Sequence, residues 1–174
     1  MKTRTRFIIL TVLFALVIFP LWRYLIQQRY LWLLGWIVAA LGSILPYGKA
    51  ALSNRITPGV GEIAFDLFDF RRTVVIDLSS IVTSIVPLLA LVSATPVRIK
   101  NRLVGAGLGV VVAVISHIVA TTIILWWQAQ ADTGTIEGLK IFIDGVWIAA
   151  LPLLYWAVWV GYVKKGGLNE ILKK

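Results

Sequence analysis

Apolar residues in this chain gather into five long runs, at about residues 7–21, 31–45, 74–94, 103–127 and 141–163, with polar stretches between them. Roughly 20 helical residues cross the ~30 Å hydrocarbon core of a bilayer, and several of these runs are long enough to do so. Lipid offers no water to the backbone, so every N–H and C=O must be satisfied within the chain, and such runs have to be helices. The pattern predicts an all-α fold: a polytopic transmembrane helix bundle of about five membrane segments, built as a single integral membrane domain over residues 1–174. Trp22, Trp126, Trp127, Trp147 and Tyr162 lie towards segment ends, where amphipathic rings favour the interface.

The longest polar connection covers about residues 46–73. Pro58-Gly59 and Gly61 punctuate it, and it then reads EIAFDLFDF over residues 62–70. Acidic and apolar residues alternate there, which suggests a short extended or amphipathic element on the membrane surface. At the N-terminus, MKTRTR followed by FIILTVLFALVIF has the look of a signal peptide. No small-x-small cleavage site follows it; the run ends in Pro20-Leu21-Trp22-Arg23, so an uncleaved first membrane segment is expected.

Composition sharpens this reading. Hydrophobic residues make up 59% of the chain and charged residues 14%, with a mean hydropathy of +0.89, whereas a soluble domain carries nearly twice that charged fraction. The net charge of +9 invites a nucleic-acid partner, but the basic residues sit at segment ends: Lys2, Arg4 and Arg6; Arg98, Lys100 and Arg102; Lys164, Lys165, Lys173 and Lys174. That is the distribution of charges that orient a membrane protein, and no nucleic-acid partner is expected. The basic 98–102 loop and C-terminal tail are expected in the cytoplasm, with the 46–73 and 128–140 connections outside. Five spans would then place the basic N-terminus outside as well. Either that short terminus is translocated, or one of the first two segments does not span.

The absence of cysteine excludes disulfides, thiolate metal sites and thiol nucleophiles. One histidine and eight acidic residues leave little material for a metal cluster, and no HExxH, P-loop or dinucleotide fingerprint occurs. No cofactor or metal is therefore expected. Candidate chemistry falls on a few polar residues. Asp77, one turn into the third run, reads as a proton site or ion ligand, or as an interfacial carboxylate paired with Arg71 or Arg72; a depth of only ~5.4 Å favours the latter. Asp144 holds the mirrored place in the fifth run. His117 could relay protons, but a lone intramembrane histidine more commonly bonds a neighbouring helix, and Ser79, Ser80, Thr83 and Ser84 form a polar band able to supply the partner. Together Asp77, Ser79, Ser80, His117 and Asp144 make a candidate polar pocket near the external face. Serine chemistry at Ser79 would need a base within reach and an oxyanion hole, and no GxSxG turn is present. Gly105 and Gly109 fit the small-xxx-small pattern of close helix packing.

Residues 74–125, VVIDLSSIVTSIVPLLALVSATPVRIKNRLVGAGLGVVVAVISHIVATTIIL, resemble the exosortase/archaeosortase family, membrane transpeptidase-like enzymes that process C-terminal sorting signals. In that family an Ala-Cys-Ser-Gly-Ile-x-Ser-type segment leads into a helix. A basic cytoplasmic turn follows, then a glycine-rich helix ending in Asn-x-x-Arg, and a histidine opens the next helix. The helix layout agrees here, but the reactive residues do not. Leu78 or Ser79 takes the cysteine slot, Val119 or Ala120 the arginine slot, and Ser116 or His117 the asparagine slot. Near the start of the fifth run stand Lys140 and Asp144 rather than histidine. Losing nucleophile, base and oxyanion-stabilising charge together removes the chemistry. The resemblance therefore implies a non-catalytic relative, similar in kind to the exosortase-associated membrane proteins such as the one linked to exosortase H. Its place would be the bacterial inner membrane, as an accessory to protein sorting, with membrane lipids around it and an exosortase-type enzyme or its substrate's membrane anchor as partner. A rival reading is a small transporter or channel component, with Asp77, His117 and Asp144 lining a proton or cation path; no inverted repeat of broken helices accompanies it.

Overall fold

The computed structural model describes residues 3–41, 49–54, 59–130, 142, 145 and 150–164. Helices α1 (Thr3–Leu21) and α2 (Gln27–Leu41) are followed by strands β1 (Ala50–Leu52), β2 (Glu62–Leu67) and β3 (Arg72–Asp77). Then come α3 (Ser79–Thr83), α4 (Ile85–Ala94), α5 (Ile99–Gln130) and α6 (Leu151–Lys164).

The first two apolar runs are not separate segments. A π-helical turn, Trp22–Ile26, joins α1 to α2 without a break, and the Gln27 N–H bonds the Trp22 carbonyl. Nothing between them stops a helix: Arg23, Gln27, Gln28 and Arg29 are good helix formers, with neither glycine nor a second proline after Pro20. Pro20 lies inside α1 and lacks the N–H that would bond the carbonyl four residues back, which loosens the ladder just before it widens. The product is one apolar helix of 37 residues over Thr5–Leu41, about 55 Å long at 1.5 Å per residue.

An all-α fold is also corrected, because β1, β2 and β3 form an antiparallel sheet in that order. Asp66 pairs with Ala51 on one side and Thr73 on the other, and Glu62 pairs with Asp77. The alternation at residues 62–70 is thus a strand followed by a turn. The apolar run beginning at Val74 opens as β3, where Thr73, Val74, Val75 and Ile76 are all β-branched and suit a pleated strand. The third run becomes helical only at Ser79 and breaks at Ser84. Pro87 has no N–H for the Thr83 carbonyl and sits in the first turn of α4, where proline is tolerated. Thr95 ends α4 in an extended conformation (ψ 130°), as the residue before a proline prefers.

The described residues do not show the five expected spans. Among the described residues two helices are long and apolar enough to cross a membrane, Thr5–Leu41 and Ile99–Ala129. The shorter apolar helices Ser79–Ala94 and Leu151–Val163 pack with them, α4 lying against α1, α5 and α6. The main core forms where α2, the inner face of the sheet, α3 and the last turns of α5 meet, around Leu31, Leu34, Phe65, Ile76, Leu78 and Leu125. Gly35 lets the sheet sit directly on α2, since a Cβ there would lie 2.7 Å from a Leu52 methyl and 2.9 Å from one of Ile63. On the far edge, the Arg72 guanidinium donates to the Gln128 carbonyl of α5 and also stands over the Phe70 ring.

Candidate functional site

Three helical elements converge on His117. It is fully buried on α5, facing Tyr30 of α2 and Ser84 at the break between α3 and α4. The Tyr30 hydroxyl lies 2.7 Å from Nδ1, and the Ser84 hydroxyl 3.0 Å from Nε2. The Ile81 carbonyl also acts on the ring, and Thr121 caps the His117 carbonyl through its hydroxyl at 2.7 Å. Each hydroxyl can donate or accept, so the pair satisfies both ring nitrogens whichever tautomer the imidazole adopts. Trp22 closes the other side of Tyr30, with ring centroids 5.4 Å apart. The chain of hydroxyl, imidazole and hydroxyl ties α2, α5 and the α3–α4 corner together inside a closed core.

Asp77 and Ser79 form a separate cluster. Asp77 ends β3, and its Oδ1 accepts from the Ser79 backbone N–H at 2.9 Å and from the Ser79 hydroxyl at 2.6 Å. Asp77 is therefore not one turn inside a helix; it caps the strand-to-helix corner, and the Leu78 N–H completes the corner by donating to the Gly61 carbonyl at 3.0 Å. Ser80 is half-buried one residue on. His117 takes its hydrogen bonds from the Tyr30 and Ser84 side, and Asp77 is not among its partners. The expected pocket is thus two clusters, each bonded within itself, and Asp144 lies outside the described residues. Ser79 gives its hydroxyl proton to a carboxylate oxygen rather than facing the imidazole.

Gly105 and Gly109 sit where α5 meets α4 and α6. The Tyr155 hydroxyl of α6 donates to the Gly105 carbonyl at 2.6 Å, and a Cβ at Gly105 would enter the Trp159 ring. A Cβ at Gly109 would fall 2.6 Å from a Leu88 methyl. Near the same end of the molecule, the Trp156 Nε1 donates to the Thr95 hydroxyl at 2.8 Å, and the Trp156 ring stacks on Phe7.

Two polar residues of the packed core escaped the sequence reading. Tyr30 lay between two presumed segments, although Gln27, Leu31, Leu34 and Val38 repeat at helical spacing and mark one continuous buried face. Gln27 is itself buried: its carbonyl oxygen accepts from Arg23 at 3.2 Å, and its amide nitrogen has no hydrogen-bond partner. Among the described residues no group of three or more His, Cys, Asp or Glu side chains could hold a metal ion. A scan against protein-family models and searches of curated proteins and of solved structures found no match to this chain.

Proposed function

We propose that this is an integral protein of the bacterial inner membrane that crosses the bilayer four times. In this reading it serves an exosortase-type protein-sorting system as a non-catalytic accessory, working by association. The observation that carries the reading is the state of His117: both ring nitrogens are engaged inside a closed core. The side chain best suited to chemistry is spent on joining helices.

Orientation draws on charge. Arg6 and Phe7 lie beside Ala94, Pro96 and Arg102, so the basic start of α1 and the basic 98–102 turn share one end of the molecule. Phe7 also stacks on Trp156 of α6, a helix that runs on to Lys164. Merging the first two runs into one helix removes one crossing, and all the basic clusters then fall on the cytoplasmic side. The sheet, α2 and the upper turns of α5 form a cap on the outer face. The exosortase link is supported by the resemblance of residues 74–125, with a serine-opened helix, a basic turn and a glycine-bearing helix in the family's order.

The test is affinity purification of the tagged full chain from a host that carries an exosortase-type enzyme. Recovery of that enzyme or of its anchored substrate is expected, with slower sorting when the chain is deleted. Recovery of no membrane protein would count decisively against the reading. The rival proton or cation path draws on the Tyr30–His117–Ser84 chain of hydrogen bonds. A flux in proteoliposomes that disappears with Tyr30→Phe, which removes the hydroxyl at Nδ1, would put transport in place of association.

A further inference from the structure

We propose that the free edge of β1, with the groove beside it, is a docking site for the extended stretch of a membrane-anchored polypeptide just outside its anchor. The inference rests on the membrane reading above for the location of the partner, and on the sheet itself for its chemistry.

The sheet order places β1 at an edge. The Lys49 carbonyl accepts from the Phe68 N–H, and the Ser53 N–H donates to the Ala64 carbonyl, so residues 49, 51 and 53 turn their backbone groups towards β2. Alternation along a strand then turns the N–H and C=O groups of Ala50 and Leu52 outward, as a row of donors and acceptors. Beside that edge lies a cavity of about 430 Å³ lined by Trp32, Trp36 and Ala40 of α2 and by Ala50 and Ala51 of β1. The two indole rings lie 6.3 Å apart and are more than half exposed.

Backbone groups select the occupant. Acyl chains would cover the tryptophans but would leave two N–H and two C=O groups unsatisfied, whereas an added strand pairs them and sends alternate side chains into the groove. The position selects the kind of polypeptide. α2 continues α1 without a break, and α1 presents an apolar face through Ile8, Val12, Leu16 and Val17. A chain leaving the bilayer along α1 passes the groove at its first residues outside. Recognition through the main chain and one or two apolar side chains tolerates many sequences, so a generic peptide should bind.

The chain has no cysteine, so an Ala51→Cys variant carries a single thiol beside the open edge. The probe is a synthetic peptide of an about 20-residue leucine-rich helix followed by an extended Thr/Val segment of about six residues. It is incorporated with the full-length variant in phosphatidylcholine nanodiscs, as a series with one cysteine moved along the segment. With copper–phenanthroline added as the oxidant, strand addition predicts disulfide capture at every second position, since alternate side chains share a face. Replacing the peptide's inward N–H groups by N-methyl should cut capture at least tenfold while leaving the protein untouched. Leu52→Pro, which deletes one outward N–H but leaves the Ala51 and Ser53 bonds to β2, should do the same. Capture spread evenly over all positions, capture indifferent to N-methylation, or no capture would each overturn the proposal. A failed purification of an exosortase-type enzyme leaves the alternating pattern standing, and a flat pattern leaves the four-span topology standing.

Discussion

His117 shows how one polar residue can be more structural than reactive in a low-dielectric interior. Removing it leaves two buried hydroxyls facing a void, and unsatisfied buried groups cost about 1–3 kcal/mol each. His117→Ala should therefore lower the stability of the detergent-solubilised protein by about 3 kcal/mol, read as a fall in the thermal midpoint. Ser84→Ala should cost about 1 kcal/mol, because the Ile81 carbonyl remains beside the ring. Gln27 predicts the opposite sign. Its buried amide nitrogen has no partner, so Gln27→Leu exchanges an orphaned donor for an apolar group of similar size and should leave the midpoint unchanged or raised. A fall of more than about 1 kcal/mol would reveal a partner for that amide. At this scale the sequence was partly informative. A serine partner for His117 on the third run was foreseeable from the polar band there; the tyrosine was not, because its register depends on a turn that breaks helical periodicity.

That turn belongs to the scale of elements. A π-helical turn accommodates one residue more than an α-helix does, so it shifts the phase of the buried face between Trp22 and Gln27. Read as a strict 3.6 repeat, residues 23–29 look like a polar separator, which is why two segments were expected where there is one helix. The same property gives a deletion test. Removing the 84% exposed Tyr24 closes the wide turn to ordinary helix and keeps Tyr30 aimed at His117. Removing Leu33, also exposed, rotates Leu34 and Val38 by about 100° away from the core. The second deletion should destabilise the cap by several kcal/mol more than the first, as followed by thermal melting. β3 was misread for a different reason: its valines and isoleucine run straight into the apolar α3, and a short apolar strand cannot be told from a buried helix by hydropathy alone. Gly105 and Gly109 were legible as small residues at helical spacing, though their neighbours Trp159, Tyr155 and Leu88 were not. Gly105→Leu should separate α5 from α6 and lower the thermal midpoint, with Gly107→Leu, which meets open space, as the silent control.

For the whole molecule, the proposed four-span topology makes a direct prediction. With no native cysteine, single substitutions report sidedness cleanly. Asp69→Cys, in the turn after β2, should react with a membrane-impermeant maleimide added to intact cells. Lys2→Cys and Lys100→Cys should react only after permeabilisation. Labelling at Lys2→Cys in intact cells would overturn the four-span topology. Two kinds of cohesion would coexist in the proposed arrangement. Within lipid the helices would gain little from hiding apolar surface and would depend on close packing at the glycines and on buried hydrogen bonds. The cap would face water, held by ordinary hydrophobic burial around Phe65 and Leu34.

The unbroken passage from α1 into α2 makes the two a single lever. In the proposed topology α1 crosses the bilayer, and a helix longer than the hydrocarbon it crosses relieves the mismatch by tilting. α2 carries that tilt outward over about 22 Å, so a 10° change moves the far end of the arm by about 4 Å. The spacing between the tryptophans and whatever lies beside them is thereby geared to the thickness of the bilayer around α1.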